Sequence, residues 1–151
     1  MPLHLVVEVS SQQLNILSVT GEILLSYPVS TSRFGLGFEE GSFKTPTGKF
    51  QIFEKIGAGA PPLMIFKGRI ATGILAQRGG DEDLILSRIL WLEGLDPENS
   101  NTNERYIYFH GTNQEELIGT PASHGCIRLC NSEMIDLFEL VSIGDGVEIR
   151  P

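Results

Sequence analysis

Positive charge is in short supply in this chain. Its 151 residues hold 11 Lys and Arg against 19 Asp and Glu, a formal net charge of −8 with a pI near 4.8. An acidic surface repels phosphate backbones and anionic headgroups, which argues against nucleic acid and membrane partners. Cysteine is scarce as well. Cys126 and Cys130 are the only two and stand four positions apart, so there is no disulfide framework. No window approaches the ~18 apolar residues of a membrane span. No GxxxxGK[ST] occurs, which excludes a phosphate cradle. Repeats, linkers and low-complexity runs are also lacking.

What is present suits one domain over residues 1–151. Hydrophobic residues make up 41% of the chain, and a chain this long buries about two-thirds of its unfolded surface. Short alternating runs dominate: LHLVVEV at 3–9, a hairpin over 14–29 turning at Thr20-Gly21, KFQIFEK at 49–55, LMIF, RIATGIL, and LILSRILWLEGL from 84. Gly/Pro turns separate them, so the fold is expected to be mainly β, a sandwich or partial barrel. Residues 30–48 form a long Gly-rich loop, and loops of that length inside a compact domain are usually functional. One helix is expected in NSEMIDLFELV, with Ser132 as its N-cap candidate, followed by a closing strand VEIR.

The chemistry concentrates in HGTNQEELIGTPASHGCIRLCN, residues 110–131, which carries two of the three histidines and both cysteines. A thiol becomes a good nucleophile at neutral pH only as thiolate, and a nearby imidazole achieves that. His110 and Cys126 are sixteen positions apart, enough for a strand end to face a loop tip. Gly125 permits an unusual backbone angle that would aim the Gly125 and Cys126 amides at one point, as an oxyanion hole requires. Arg128 carries a fork suited to a carboxylate. Asn131 is a candidate substrate contact or a brace for the helix.

That stretch resembles the signature of the L,D-transpeptidase catalytic domain, the YkuD domain: His, a spacer, then [Ser/Thr]-His-Gly-Cys, a hydrophobic residue and Asn or Arg. GSFKTPTGKFQI is similar to the family's upstream TPxGxFxI segment. The resemblance implies a β-sandwich of that type with one short helix after the catalytic loop. It implies Cys126 as nucleophile, His110 as base, and the Gly111 backbone carbonyl orienting the imidazole. Ser123, His124 and Gly125 would shape the Cys loop, and Arg128 stands where other members have Asn. The expected substrates are peptidoglycan stem peptides or soluble muropeptides, cleaved at the L,D bond before a terminal D-Ala. Acylation by carbapenems is a further expectation, and no cofactor is implied. Hydrolysis, an L,D-carboxypeptidase activity serving muropeptide recycling, is favoured over transpeptidation, because MPLHLVVEVSSQQLNIL lacks the form of a signal peptide. The expected compartment is therefore the cytoplasm, or the periplasm if a signal precedes Met1.

Blander readings compete. A lone cysteine is by default a packing residue, and Cys130 fits that role. His110, His124, Cys126 and Cys130 are zinc-competent, yet their spacing matches no common finger or deaminase signature. A non-catalytic peptidoglycan-binding module would be expected to have lost Cys126 or His110, and both are present. His4, alone on the polar side of a strand, reads as a surface residue. Arg69, Arg78 and Arg88 are candidate carboxylate receptors, with solvation or ion pairing as the ordinary role for each.

Overall fold

The computed structural model describes residues 2–151. Strands β1 (His4–Glu8), β2 (Gln13–Leu17) and β3 (Ile23–Pro28) form an antiparallel meander at one side of the sheet. The alternation in LHLVVEV puts Leu5 and Val7 on the core face, both 0% exposed. The last strand, β10 (Gly146–Arg150), returns to lie parallel to β1, with Leu5 opposite Val147 and Val7 opposite Ile149. Then come β4 (Gly48–Ile56) and β7 (Ile85–Gly94), both antiparallel to their neighbours, and the hairpin of β5 (Met64–Lys67) and β6 (Ile70–Leu75) beyond them.

The sheet branches at β7, which also pairs with β8 (Tyr108–Gly111), and β8 in turn pairs in parallel with β9 (Ile127–Leu129). One core joins these parts: Leu14, Phe50, Ile52, Leu90, Phe109 and Ile127 meet Met134 and Leu137 of the helix α1 (Asn131–Leu140). Each such side chain contributes roughly 1.5–3 kcal/mol of burial. The class is mainly β with one helix, as expected.

Two expectations are corrected locally. Ser132 does not cap the helix, which starts one residue earlier with Cys130 in the cap position and no side-chain cap of its own. The cap comes from outside: Oε2 of Glu115, in a one-turn 3-10 segment (Glu115–Leu117), accepts the Asn131 N–H at 2.7 Å. A carboxylate there satisfies an orphan amide and faces the positive end of the helix dipole. The alternation in LILSRILWLEGL is also interrupted. Ser87, at φ 72°, and Arg88 form a bulge between the Leu86–Gly111 and Ile89–His110 pairings. Beyond it, Leu90 and Leu92 face the main core, while Ile89 and Trp91 face a second cluster with Phe66 and Tyr108. A bulge bends the strand that carries it, and this one lies opposite His110.

Candidate active site

The side-chain period of two decides what β8 and β9 present. Ile107, Phe109, Ile127 and Leu129 turn into the main core. Tyr108, His110, Cys126 and Arg128 are therefore left on the other face. The parallel register sets Phe109 level with Ile127 and His110 level with Arg128, so Cys126 enters two residues below His110, beside Tyr108. The Tyr108 N–H reaches Cys126 Sγ at 3.4 Å, and the thiol reaches the Tyr106 carbonyl at 3.5 Å. Thiol and imidazole thus share a face of neighbouring strands, two residues apart in register.

His110 is 1% exposed, and its Nδ1 lies 2.6 Å from the Gly111 carbonyl oxygen. A carbonyl only accepts, so Nδ1 carries the proton and Nε2 the lone pair. Gly111 has no room for a side chain: a Cβ there would sit 2.9 Å from the Leu86 carbonyl oxygen and against the Asn131 amide. Burial holds His110 below its ordinary pKa of 6.5, while the Asp83 carboxylate and the Gly111 carbonyl pull it back up. Burial pushes the Cys126 thiol up to about 12; the Tyr108 N–H opposes this, and Asp83 adds to it. The resting pair is therefore neutral thiol and neutral imidazole.

Asp83 is the hub of the charges. Its Oδ2 accepts both the ring Nδ1 of His124, at 2.8 Å, and the His124 N–H, at 3.2 Å. Its Oδ1 takes Arg128 Nη1 at 3.0 Å. Burial alone would raise the Asp83 carboxyl, but His110, His124 and Arg128 outweigh it and hold the group below its ordinary 3.8. Arg128 is 0% exposed and also donates to Gln114 Oε1 at 2.8 Å and Ser30 Oγ at 3.2 Å.

Residues 2–149 match the profile of the YkuD family, the L,D-transpeptidase catalytic domain. The chain belongs to that family. The YkuD protein of Bacillus subtilis (strain 168) is 24% identical over 149 residues, 99% of this chain and 66% of its own length. Among solved structures, an L,D-transpeptidase from Mycobacterium smegmatis aligns with a TM-score of 0.62 at 20% identity, covering 99% of this chain and 59% of that one. L,D-transpeptidase 3 from Mycobacterium tuberculosis, in complex with a faropenem-derived adduct, aligns at 0.60 and 18% identity, covering 99% and 60%. The chain thus spans about two-thirds of the YkuD protein and less of the solved structures.

In this L,D-transpeptidase-family domain, the loop before β9 is held from several sides. Gly125 has φ 122°, in the region that favours glycine, and its N–H turns to Ser123 Oγ at 3.2 Å. Ser123 Oγ in turn donates to the Cys126 carbonyl at 2.6 Å. The long loop 30–48 forms the wall: Ser123 N–H and Ala122 N–H donate to the Thr31 carbonyl at 2.9 Å, and Thr45 Oγ1 donates to the Gly125 carbonyl at 3.0 Å. Asn131 is 1% exposed and acts as a brace, taking Ser87 Oγ at 2.7 Å and donating to the Thr112 carbonyl at 2.7 Å. His124 is exposed and packs near Phe34 and Phe43, with ring centroids at 5.8 and 5.6 Å. It lines both a cavity of about 150 Å³, with Glu40, Glu104 and Arg105, and one of about 340 Å³, with Arg33, Asp81 and Gln114.

Cys126, His110, Gly111, Ser123, His124, Gly125 and Arg128 come together as one site, with Asn131 directly behind it. Among the described residues, no three His, Cys, Asp or Glu side chains converge as metal ligands. Asp83, Thr45 and Gln114 were not foreseen. Asp83 lies in GGDED, which reads as a solvated turn, and nothing in its spacing marks it as a partner of His124 41 positions on.

Proposed function

We propose that this domain cleaves peptidoglycan stem peptides at the L,D bond before a terminal D-Ala, through a thioester on Cys126. The observation that carries this reading is that Cys126 shares a strand face with a buried imidazole two residues along in register, whose Nδ1 is fixed on Gly111 at 2.6 Å, leaving Nε2 as the base.

Because both groups rest neutral, the proton moves as attack begins rather than beforehand. Nε2 takes the thiol proton while the Sγ–C bond forms, and the carbonyl electrons pass to oxygen. The Asp83 carboxylate, which already raises the His110 pKa, stabilises the imidazolium. Since the Gly125 N–H is turned to Ser123, the Cys126 N–H is the loop amide that meets the oxyanion. The imidazolium then returns its proton to the leaving D-Ala nitrogen as the C–N bond breaks. Buried Arg128 acts by holding Asp83 and Ser30 in place, not by reaching substrate.

The thioester has two exits. Attack by water gives a trimmed peptide, the L,D-carboxypeptidase outcome. Attack by an amine gives exchange or a crosslink. Mass spectrometry of a disaccharide tetrapeptide incubated with and without a D-amino acid separates them: loss of D-Ala alone means hydrolysis, and exchange or dimer means transfer. Absence of any change in peptide mass would contradict both. The faropenem-derived adduct in the Mycobacterium tuberculosis structure, and the imipenem complex of another L,D-transpeptidase of this fold, support a further expectation, that a carbapenem acylates Cys126.

A further inference from the structure

Most arginines of this chain are committed. Arg78 Nε pairs with Glu115 at 3.1 Å. Arg88 is 5% exposed and gives Nη1 to the carbonyls of Ala60 and Ser87. Arg105 directs its guanidinium to the carbonyls of Gly37 and Lys44, and Arg128 is buried on Asp83. Arg69 is different. Its guanidinium carbon lies 4.6 Å from the Trp91 ring centroid and 4.9 Å from that of Tyr106. Nη1 donates to the Tyr108 hydroxyl at 3.2 Å. Glu54 is the carboxylate that acts on it, from beyond ion-pair distance.

Two features tie this cation to the thiol. Tyr106 and Tyr108, which hold the Arg69 guanidinium with their rings and hydroxyl, are the residues whose backbone holds Cys126 Sγ. Tyr108 is itself buried in the cluster against which Cys126 packs. Arg69 also occupies the tight turn between β5 and β6 at φ 66°. Gly or Asn would hold that position at lower cost, so a non-glycine residue there points to a use for its side chain. The two rings hold the guanidinium in place, and four of its five N–H donors have no partner among these contacts.

We propose that Arg69, with the Tyr108 hydroxyl, is a recognition site for a carboxylate of the peptide being cleaved. The inference rests on the function proposed above. A planar fork held over an aromatic platform, one phenol ring from the nucleophile, suits a carboxylate that arrives with the scissile bond.

The test uses three tetrapeptides: the free acid, the terminal D-alaninamide, and the peptide with its internal carboxylate amidated. Each is turned over by the wild-type chain, by Arg69→Gln and by Arg33→Gln, the latter removing an exposed cation stacked on Phe34 alone. Arg69→Gln is expected to lower kcat/KM for the free acid about tenfold to a hundredfold, chiefly through KM, and to leave one of the amides unaffected. The unaffected amide identifies the carboxylate. Comparing acid with amide within each variant cancels a general loss of folded protein. An equal loss on all three peptides, no loss on the acid, or a loss of discrimination in Arg33→Gln instead would overturn the inference. Wild-type protein that cleaves none of the three would contradict the proposed function itself.

Discussion

The Asp83 carboxylate and His124 are bonded twice through one oxygen, Oδ2, which accepts both the ring Nδ1 and the main-chain N–H at 2.8 and 3.2 Å. The other oxygen holds buried Arg128. One carboxylate thus ties the turn before β7 to the Cys loop and to β9. Asp83→Asn is expected to cost roughly 3 kcal/mol, because it leaves the Arg128 charge without its counter-charge. It should also lower kcat/KM by removing the field that favours the His110 imidazolium. Chemical denaturation and steady-state kinetics on the same variant check both effects, and an unchanged unfolding midpoint would contradict the first.

Acid stability follows from the same group with a definite sign. Asp83 and Glu115 are both held below their ordinary values of 3.8 and 4.5: burial alone would raise each, but Arg128 and the histidines lower Asp83, and the Asn131 N–H and amide lower Glu115. A depressed carboxyl binds its proton more weakly when folded. Its stabilisation is therefore complete above the ordinary value and lost as pH falls through the folded one. Unfolding free energy should begin to fall as pH drops through 6.5, because buried His110 binds its proton less readily than it does unfolded, and fall further below about pH 5 as the two carboxyls add their share, with a shallower acidic fall in Asp83→Asn. A denaturation series across that range reads the slope directly.

The thiol should be sluggish at rest. With Cys126 pushed up to about 12 and His110 held below 6.5, no thiolate–imidazolium pair exists in the free protein. Iodoacetamide alkylation of Cys126 is expected to climb steadily with pH beyond 8 without a plateau near neutrality. In contrast, kcat/KM should rise through a pKa below 6.5, where the imidazole becomes available as base, and then stay flat through neutral pH. An alkylation plateau at pH 7 would show a preformed thiolate.

Much of this was legible in the residues. Alternation in LHLVVEV placed β1 to within a residue at each end, and RYIYFHG located β8 but began it three residues early, since Arg105 and Tyr106 lie in a turn with Tyr106 at φ 58°. The His110–Cys126 pair was legible because such chemistry restricts residue type at both positions. What pattern could not reveal depends on partners distant in the chain. Ser132 looked like a cap because its type suits one, but Glu115, reaching from a 3-10 turn, had already satisfied the helix at Asn131. The Ser87 bulge broke an alternation that read as continuous. Asp83 sat in an acidic turn whose composition predicts only solvation.

The bracing of that helix offers a smaller check. Glu115→Ala removes the acceptor of the Asn131 N–H and of its side-chain amide, at 2.7 and 3.0 Å. A loss of about 1–2 kcal/mol is expected, in the range of a removed N-cap. Because Asn131 backs Gly111, a fall in kcat should accompany it. Thermal unfolding and turnover measured together check the pairing.

The central claim is that Cys126, activated by His110, carries the acyl group. Release of D-Ala from a tetrapeptide by the Cys126→Ala protein tests it most directly. The account predicts release by the wild-type chain and none above background by the variant, although the variant folds and binds the peptide. D-Ala release by Cys126→Ala at the wild-type rate would contradict it.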